Sequence, residues 1–116
     1  MTRRDARLYL ADVLECIDAI LDYTRQSTEA SFHHDRMLQD AVIRRLEIIG
    51  EAVNHIPRRL RAKNPEIRWE DIVGIRNWLT HEYFGVQLHR AWKVVQQDLA
   101  PLKETVLRMI ESLPQT

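Results

Sequence analysis

Apolar residues recur along the chain at the three- and four-residue intervals that place side chains on one face of a helix. Leu10, Leu14, Ile17 and Leu21 form the first stripe, with Val13 and Ile20 beside it, and predict a helix over about 5–23. A polar connection over 26–34 follows, in which Ser27 or Thr28 can cap a short helical turn. Leu38, Val42, Leu46, Ile49, Val53 and Ile56 mark a second helix over about 35–56, with Asp35 as its cap. Ala41, Ile48 and Ala52 widen that stripe enough for contact with more than one neighbour. Pro57 can open a short turn, where its missing N–H costs nothing, and Asn64-Pro65 interrupts the chain.

Ile72, Ile75 and Leu79 form the seam of a third helix, expected from about Trp69 to Phe84-Gly85, where glycine can terminate it. A fourth helix is expected over 87–113. Its apolar positions, from Leu88 and Trp92 through Val95, Leu99, Leu102 and Val106 to Met109 and Leu113, approach a coiled-coil seam. Pro101 removes one backbone hydrogen bond from it and predicts a kink near Gln97 to Leu99. Four amphipathic helices with short connections predict an all-α, up-down bundle with a few short helical turns, the whole of 1–116 forming one domain.

Composition agrees. A chain of 116 residues buries roughly two-thirds of its unfolded surface, enough for a core without staples. It is 45% hydrophobic and has only three glycines, which suits a globular helical protein. Seventeen basic residues balance seventeen acidic ones, so steering of nucleic acid by whole-molecule charge is excluded and any such contact must be local. Arg58-Arg59-Leu60-Arg61-Ala62-Lys63 is the candidate patch, either a solvated turn or a phosphate contact to RNA or to an acidic partner. Cys16 is the sole cysteine, so no internal disulfide forms. The charged start MTRRDARLYLADVLE carries no secretory signal, and no run approaches the roughly 18 apolar residues of a membrane span. The expected location is the cytoplasm, with no membrane association.

RNWLTHEYFG, from Arg76 to Gly85, concentrates chemistry at the end of the third helix. Arginine presents a planar fork of donors that fits phosphate oxygens. Histidine exchanges a proton near neutrality. Asparagine can orient a neighbour, and a tyrosine hydroxyl can bond or accept a transferred group. On an ideal helix Arg76 and Tyr83 share a face and Asn77 neighbours His81, but Arg76 and His81 diverge by roughly 140°. They can meet at one phosphate if the arginine reaches around, if the helix end distorts, or if a second subunit supplies a matching site. A helix-end hydrogen-bond network accounts for the same residues without any chemistry.

Arg76 to Tyr83 fits the R-x-x-x-x-H-x-Y motif of HEPN-domain proteins. AVIRRLEIIGEAVNHIP (41–57), NPEIRWEDIVGIRNWLTHEYFGV (64–86) and AWKVVQQDLAPLKE (91–104) resemble the HepT-like branch over nearly its whole length. This resemblance implies a helical bundle that forms a homodimer with its motifs facing each other, and a ribonuclease that cleaves RNA without metal or cofactor. It implies His81 as general base or acid, Arg76 as the ligand of the scissile phosphate, and Asn77 in support. It further implies the toxin of a type VII-like toxin–antitoxin pair. The partner would be an MntA-like nucleotidyltransferase that transfers AMP from ATP onto Tyr83, blocking the site by bulk and charge. The alternative is a non-catalytic helical module, or a substrate subunit for that nucleotidyltransferase; a nucleotide-binding regulator using the same Arg and His is a third reading. Relatives often carry Asp where this chain has Asn77 and Gln87. Asn77 keeps hydrogen bonding but removes a charge partner for Arg76, and Gln87 is a weaker helix cap.

Other polar residues read as structural. His33-His34 belongs to a solvated loop rather than a metal site, and His55 and His89 are single helix-surface positions. Glu51 can face the interior and pair with an arginine; of Arg44 and Arg45 at least one is exposed. Trp69 and Trp92 belong to the core or a dimer seam. Trp78, off the Ile72–Leu79 stripe, is the candidate interface anchor or a platform for an RNA base.

Overall fold

The computed structural model describes residues 5–81 and 84–114, with the side chain of Phe84 excepted. They fold as an all-α bundle without a strand. Helix α1 covers Ala6–Tyr23, and Asp5 caps it by accepting from the Arg7 N–H at 3.0 Å. Its fully buried face is Leu10, Val13, Ile17 and Ile20, with Cys16 alongside; Leu14 and Leu21 are only partly covered. Burial of Cys16 pushes its thiol up from the ordinary value, against the pull of the Arg45 guanidinium 3.8 Å away.

The connection after α1 is more ordered than a loop. Helix α2, Glu29–His33, starts from a capping box in which Thr28 and Ser31 satisfy each other's N–H groups. It buries Phe32 against Trp92, with ring centroids 5.4 Å apart. His33 therefore lies in a helix, contrary to the loop expected. Glu29 Oε2 sits 3.8 Å from His33 Nε2 and 3.1 Å from His89 Nδ1, so neither imidazole is an isolated surface group.

Helix α3, Arg36–Asn54, is capped by Asp35, which accepts from the Leu38 N–H at 3.1 Å. It occupies the middle of the bundle and packs against α1, α2 and the segments that follow. Val42, Leu46, Ile49 and Val53 are fully buried. Glu51 is exposed, which corrects the interior position considered for it: its place on α3 points away from the Val42–Val53 stripe. Arg44 is exposed and half-buried Arg45 lies 3.8 Å from Glu15. A short helix α4, Arg58–Ala62, follows Pro57.

The expected third helix is broken. Helix α5, Trp69–Val73, ends at Gly74, and α6, Ile75–His81, starts directly after it. The Gly74 carbonyl takes the N–H groups of both Asn77 and Trp78, at 3.0 and 3.3 Å. Glycine, the poorest helix former after proline, weakens the helix at this point, and the packing of both α5 and α6 on α3 fixes the break there. Gly85 does not terminate a helix. It is the second residue of α7, Phe84–Lys93, and among the described residues no glycine has positive φ.

The chain then continues without a break through a π-helical turn, Val94–Asp98, into α8, Leu99–Ser112. Leu99 N–H donates to Val94 O, five residues back. The widened turn lies just before Pro101, which has no N–H and would crowd the carbonyl four residues earlier in a regular helix. The disturbance expected near 97–99 is thus present as a π-bulge. Helix α8 packs on α1. Among the described residues, no helix is long and apolar enough to cross a membrane.

Gly50 sets the distance between α3 and the α5–α6 pair. A Cβ there would stand 3.2 Å from the Ile72 carbonyl oxygen and 3.8 Å from the Arg76 nitrogen. Both are backbone atoms, which cannot swing aside. Gly50→Ala is expected to be nearly neutral, because about 1 kcal/mol of helix propensity offsets the tight contact. Gly50→Leu forces the helices apart and should destabilise by about 1–3 kcal/mol in denaturant titration.

Candidate functional site

Helix α6 presents the site because its two ends of chemistry separate cleanly into faces. Ile75 and Trp78, three residues apart, are buried. Arg76, Asn77, Thr80 and His81 are exposed. Trp78 is only 7% exposed, and the Arg90 guanidinium of α7 lies 4.6 Å from its ring centre. It is a core residue of this chain, which corrects the reading of it as an interface anchor or RNA-stacking platform: little of its ring is left for a partner. Trp69 is also buried, its indole N–H donating to Asn64 O at 2.9 Å, and Trp92 packs in the core.

Among the described residues, the side chains of Arg76, Asn77 and His81 have no hydrogen-bond or ion-pair partner. The Thr80 hydroxyl turns back to the Arg76 carbonyl at 2.9 Å and so satisfies the helix rather than the neighbouring side chains. The helix-end network that could have explained these residues without chemistry is absent from this set. Arg76 and His81 do not converge: both sit on the same regular turn-and-a-half, about 140° apart around the axis. Tyr83 lies outside the described residues.

Gln87 has a role that helix-cap reasoning missed. It sits inside the first turn of α7, half-buried, and its amide donates to the Leu79 carbonyl of α6 at 2.6 Å. The side chain thus ties the end of the motif helix to the start of the next. An aspartate at this position would lack the donor.

Beside α6, between α5, α7 and the π-turn, runs a groove of about 490 Å³. It carries Asp71 and Asp98 as well as Arg90 and Lys93. Desolvation, then the nearby Asp71 carboxylate, push the Asp98 carboxyl up from its ordinary value, against the pull of Lys93. With Arg68, Glu70, Asp71, Arg90, Lys93 and Asp98 all in its lining, this groove mixes both signs of charge. Among the described residues no three His, Cys, Asp or Glu side chains gather closely enough to hold a metal ion.

The exposure of Arg76, Asn77 and His81 on one short helix of an all-α bundle agrees with the HEPN class that the motif suggests. More narrowly, the chain belongs to the HepT-like ribonuclease family, whose model matches residues 13–109. It is 44% identical over 111 residues to a protein of Methanocaldococcus jannaschii named "Gamma-glutamylcyclotransferase and putative RNase", covering 96% of this chain and 50% of that protein. The chain therefore spans half the length of that relative. It is 42% identical over 101 residues to a "Probable ribonuclease HepT" of Thermococcus cleftensis, covering 87% of this chain and 92% of that protein. No solved structure matches the chain.

Proposed function

We propose that this protein is a metal-independent endoribonuclease, the toxin of a toxin–antitoxin pair, with Arg76, Asn77 and His81 as its catalytic residues. The observation that carries the reading is the exposure of these three side chains on α6, unpartnered among the described residues, in a chain of the HepT-like ribonuclease family. Exposed groups with no internal partner are available to a substrate, and their types match what phosphodiester cleavage requires.

In that chemistry the ribose 2′-oxygen attacks the adjacent phosphorus. The P–O2′ bond forms as P–O5′ breaks, leaving a 2′,3′-cyclic phosphate and a free 5′-hydroxyl. A base must take the 2′-OH proton and an acid must give one to the departing 5′-oxygen. His81 serves as one of these. The Arg76 guanidinium binds the non-bridging phosphate oxygens and stabilises the charge that develops on them. Asn77 orients the phosphate or the imidazole. A homodimer that brings two α6 helices face to face would let the Arg76 of one copy meet the His81 of the other despite their divergence.

The regulatory partner in this reading is an MntA-like nucleotidyltransferase, which uses ATP to place AMP on Tyr83. Phosphate charge beside Arg76 would then exclude RNA by occupancy and repulsion. The test has two parts. Purified protein should cleave single-stranded RNA undiminished in EDTA. Intact mass after co-expression with such a nucleotidyltransferase should rise by whole AMP increments that disappear in Tyr83→Phe. Cleavage that needs an added divalent cation would contradict the metal-independent mechanism, and an unmodified Tyr83 would contradict the partner.

A further inference from the structure

The cations of this chain are not evenly neutralised. Arg25, Arg36, Arg44, Arg45, Arg68, Lys103 and Arg108 each lie within 4.0 Å of a carboxylate. On and just after α4, Arg58, Arg59, Arg61 and Lys63 have no ion-pair partner among the described residues. No Asp or Glu occurs between Ala52 and Pro65. In a molecule with balanced formal charge, this is where positive potential collects.

The patch borders two open grooves rather than a flat surface. One, of about 640 Å³, lies between the start of α1 and α4 and is lined by His55, Arg58, Arg59 and Arg61. The other, of about 570 Å³, lies between α4 and α5 and runs from Arg58 and Arg61 to Val73 and Gly74. Asn54, Arg58 and Arg61 line both, so the two adjoin. The single carboxylate among the residues that line them is Glu70. The lining of the second groove includes Gly74, two residues before Arg76 in the chain. Asn54 lies one turn of α3, about 6 Å, beyond Gly50, where an added Cβ would stand 3.8 Å from the Arg76 nitrogen.

We infer that these grooves hold the phosphodiester backbone of a single-stranded RNA on its way to α6, with Arg58 and Arg59, which line them, and Lys63, the exposed residue after groove-lining Ala62, as phosphate-binding residues. The inference rests on the ribonuclease reading for the direction of the strand, but the binding itself is independent of cleavage. Long, exposed cationic side chains with no ion-pair partner among the described residues suit a flexible polyanion, and two adjoining grooves suit a strand of several nucleotides. Arg61 also supports the chain locally, its Nε donating to Ile56 O at 3.2 Å.

The test uses Arg58→Gln/Arg59→Gln/Lys63→Gln, which spares Arg61. The control is Arg25→Gln/Arg36→Gln/Arg44→Gln, which removes the same charge elsewhere. Binding of a fluorescent single-stranded RNA is measured in a His81→Ala background, and cleavage in the active protein. The patch variant should bind about tenfold more weakly, with the salt slope of log K reduced by about 2, and its KM should rise at unchanged kcat. The control should lose much less. Equal losses in both variants, or an unchanged salt slope in the patch variant, would overturn the inference. So would intact RNA binding combined with lost co-purification of a nucleotidyltransferase partner, which would assign the patch to an acidic protein surface. If the active protein fails to cleave RNA while the patch variant alone loses binding, the ribonuclease reading falls and the RNA-binding grooves stand.

Discussion

His81→Ala should lower RNA cleavage by about 10²–10⁴-fold, the usual range for removing a general acid or base. The same substitution should leave the melting temperature and helical circular dichroism almost unchanged. The imidazole is exposed at the end of α6 and has no partner among the described residues, so its removal takes nothing from the core. Cleavage of one defined RNA oligonucleotide by wild type and variant at equal concentration measures this. Equal rates would show that His81 does not move the proton. A variant that melts much earlier would show instead that the ring is structural, and that the exposed site is not what α6 is for.

Mixing two inactive variants should restore activity. Arg76→Ala alone should cost about 10²–10³-fold, by loss of phosphate binding and charge stabilisation. Arg76 and His81 lie on one short helix at about 140° to each other, so a single copy does not aim both at one phosphate. If the arginine of one copy works with the imidazole of its partner, a heterodimer of Arg76→Ala and His81→Ala contains one intact composite site and one that lacks both groups. Random exchange of subunits then yields about a quarter of wild-type activity. Separately expressed variants, mixed, briefly dissociated and reassembled, provide the measurement. Activity that stays at the level of the single variants would mean that Arg76 and His81 of the same copy act together, and would require α6 to distort on binding.

These two expectations depend on features of different legibility. The residue types and their order, Arg76, Asn77, His81 and Tyr83, are visible in the chain and carry the family resemblance. Their exposure is visible only in part. Periodicity puts Ile75 and Leu79 on one face and so frees Arg76 and Asn77, but it misplaces Trp78, which is buried under Arg90 rather than left for a partner. A tryptophan one step off a stripe can reach the core because the indole is large and an aliphatic guanidinium stem can cover its outer face. Gln87 escaped notice as a positioning residue because its bond to Leu79 O spans two helices, and no periodic pattern signals such a link.

What the sequence determined by itself is the helical class, the cap Asp35, a cap at Ser27 or Thr28, most of the buried stripes of α1, α3 and α8, and the disturbance before Pro101. All of these arise from interactions within a few residues, where backbone geometry and side-chain period leave little choice. The division of the third helix at Gly74, the passage of Gly85 into α7, and the closeness of α3 to Arg76 over Gly50 were decided by tertiary packing. So was the collection around α4 of cations without an ion-pair partner among the described residues. Glycine tolerates several backbone conformations at similar cost, so its neighbours in space select among them. Charges likewise pair with whatever the fold brings near, which a linear order of residues does not specify.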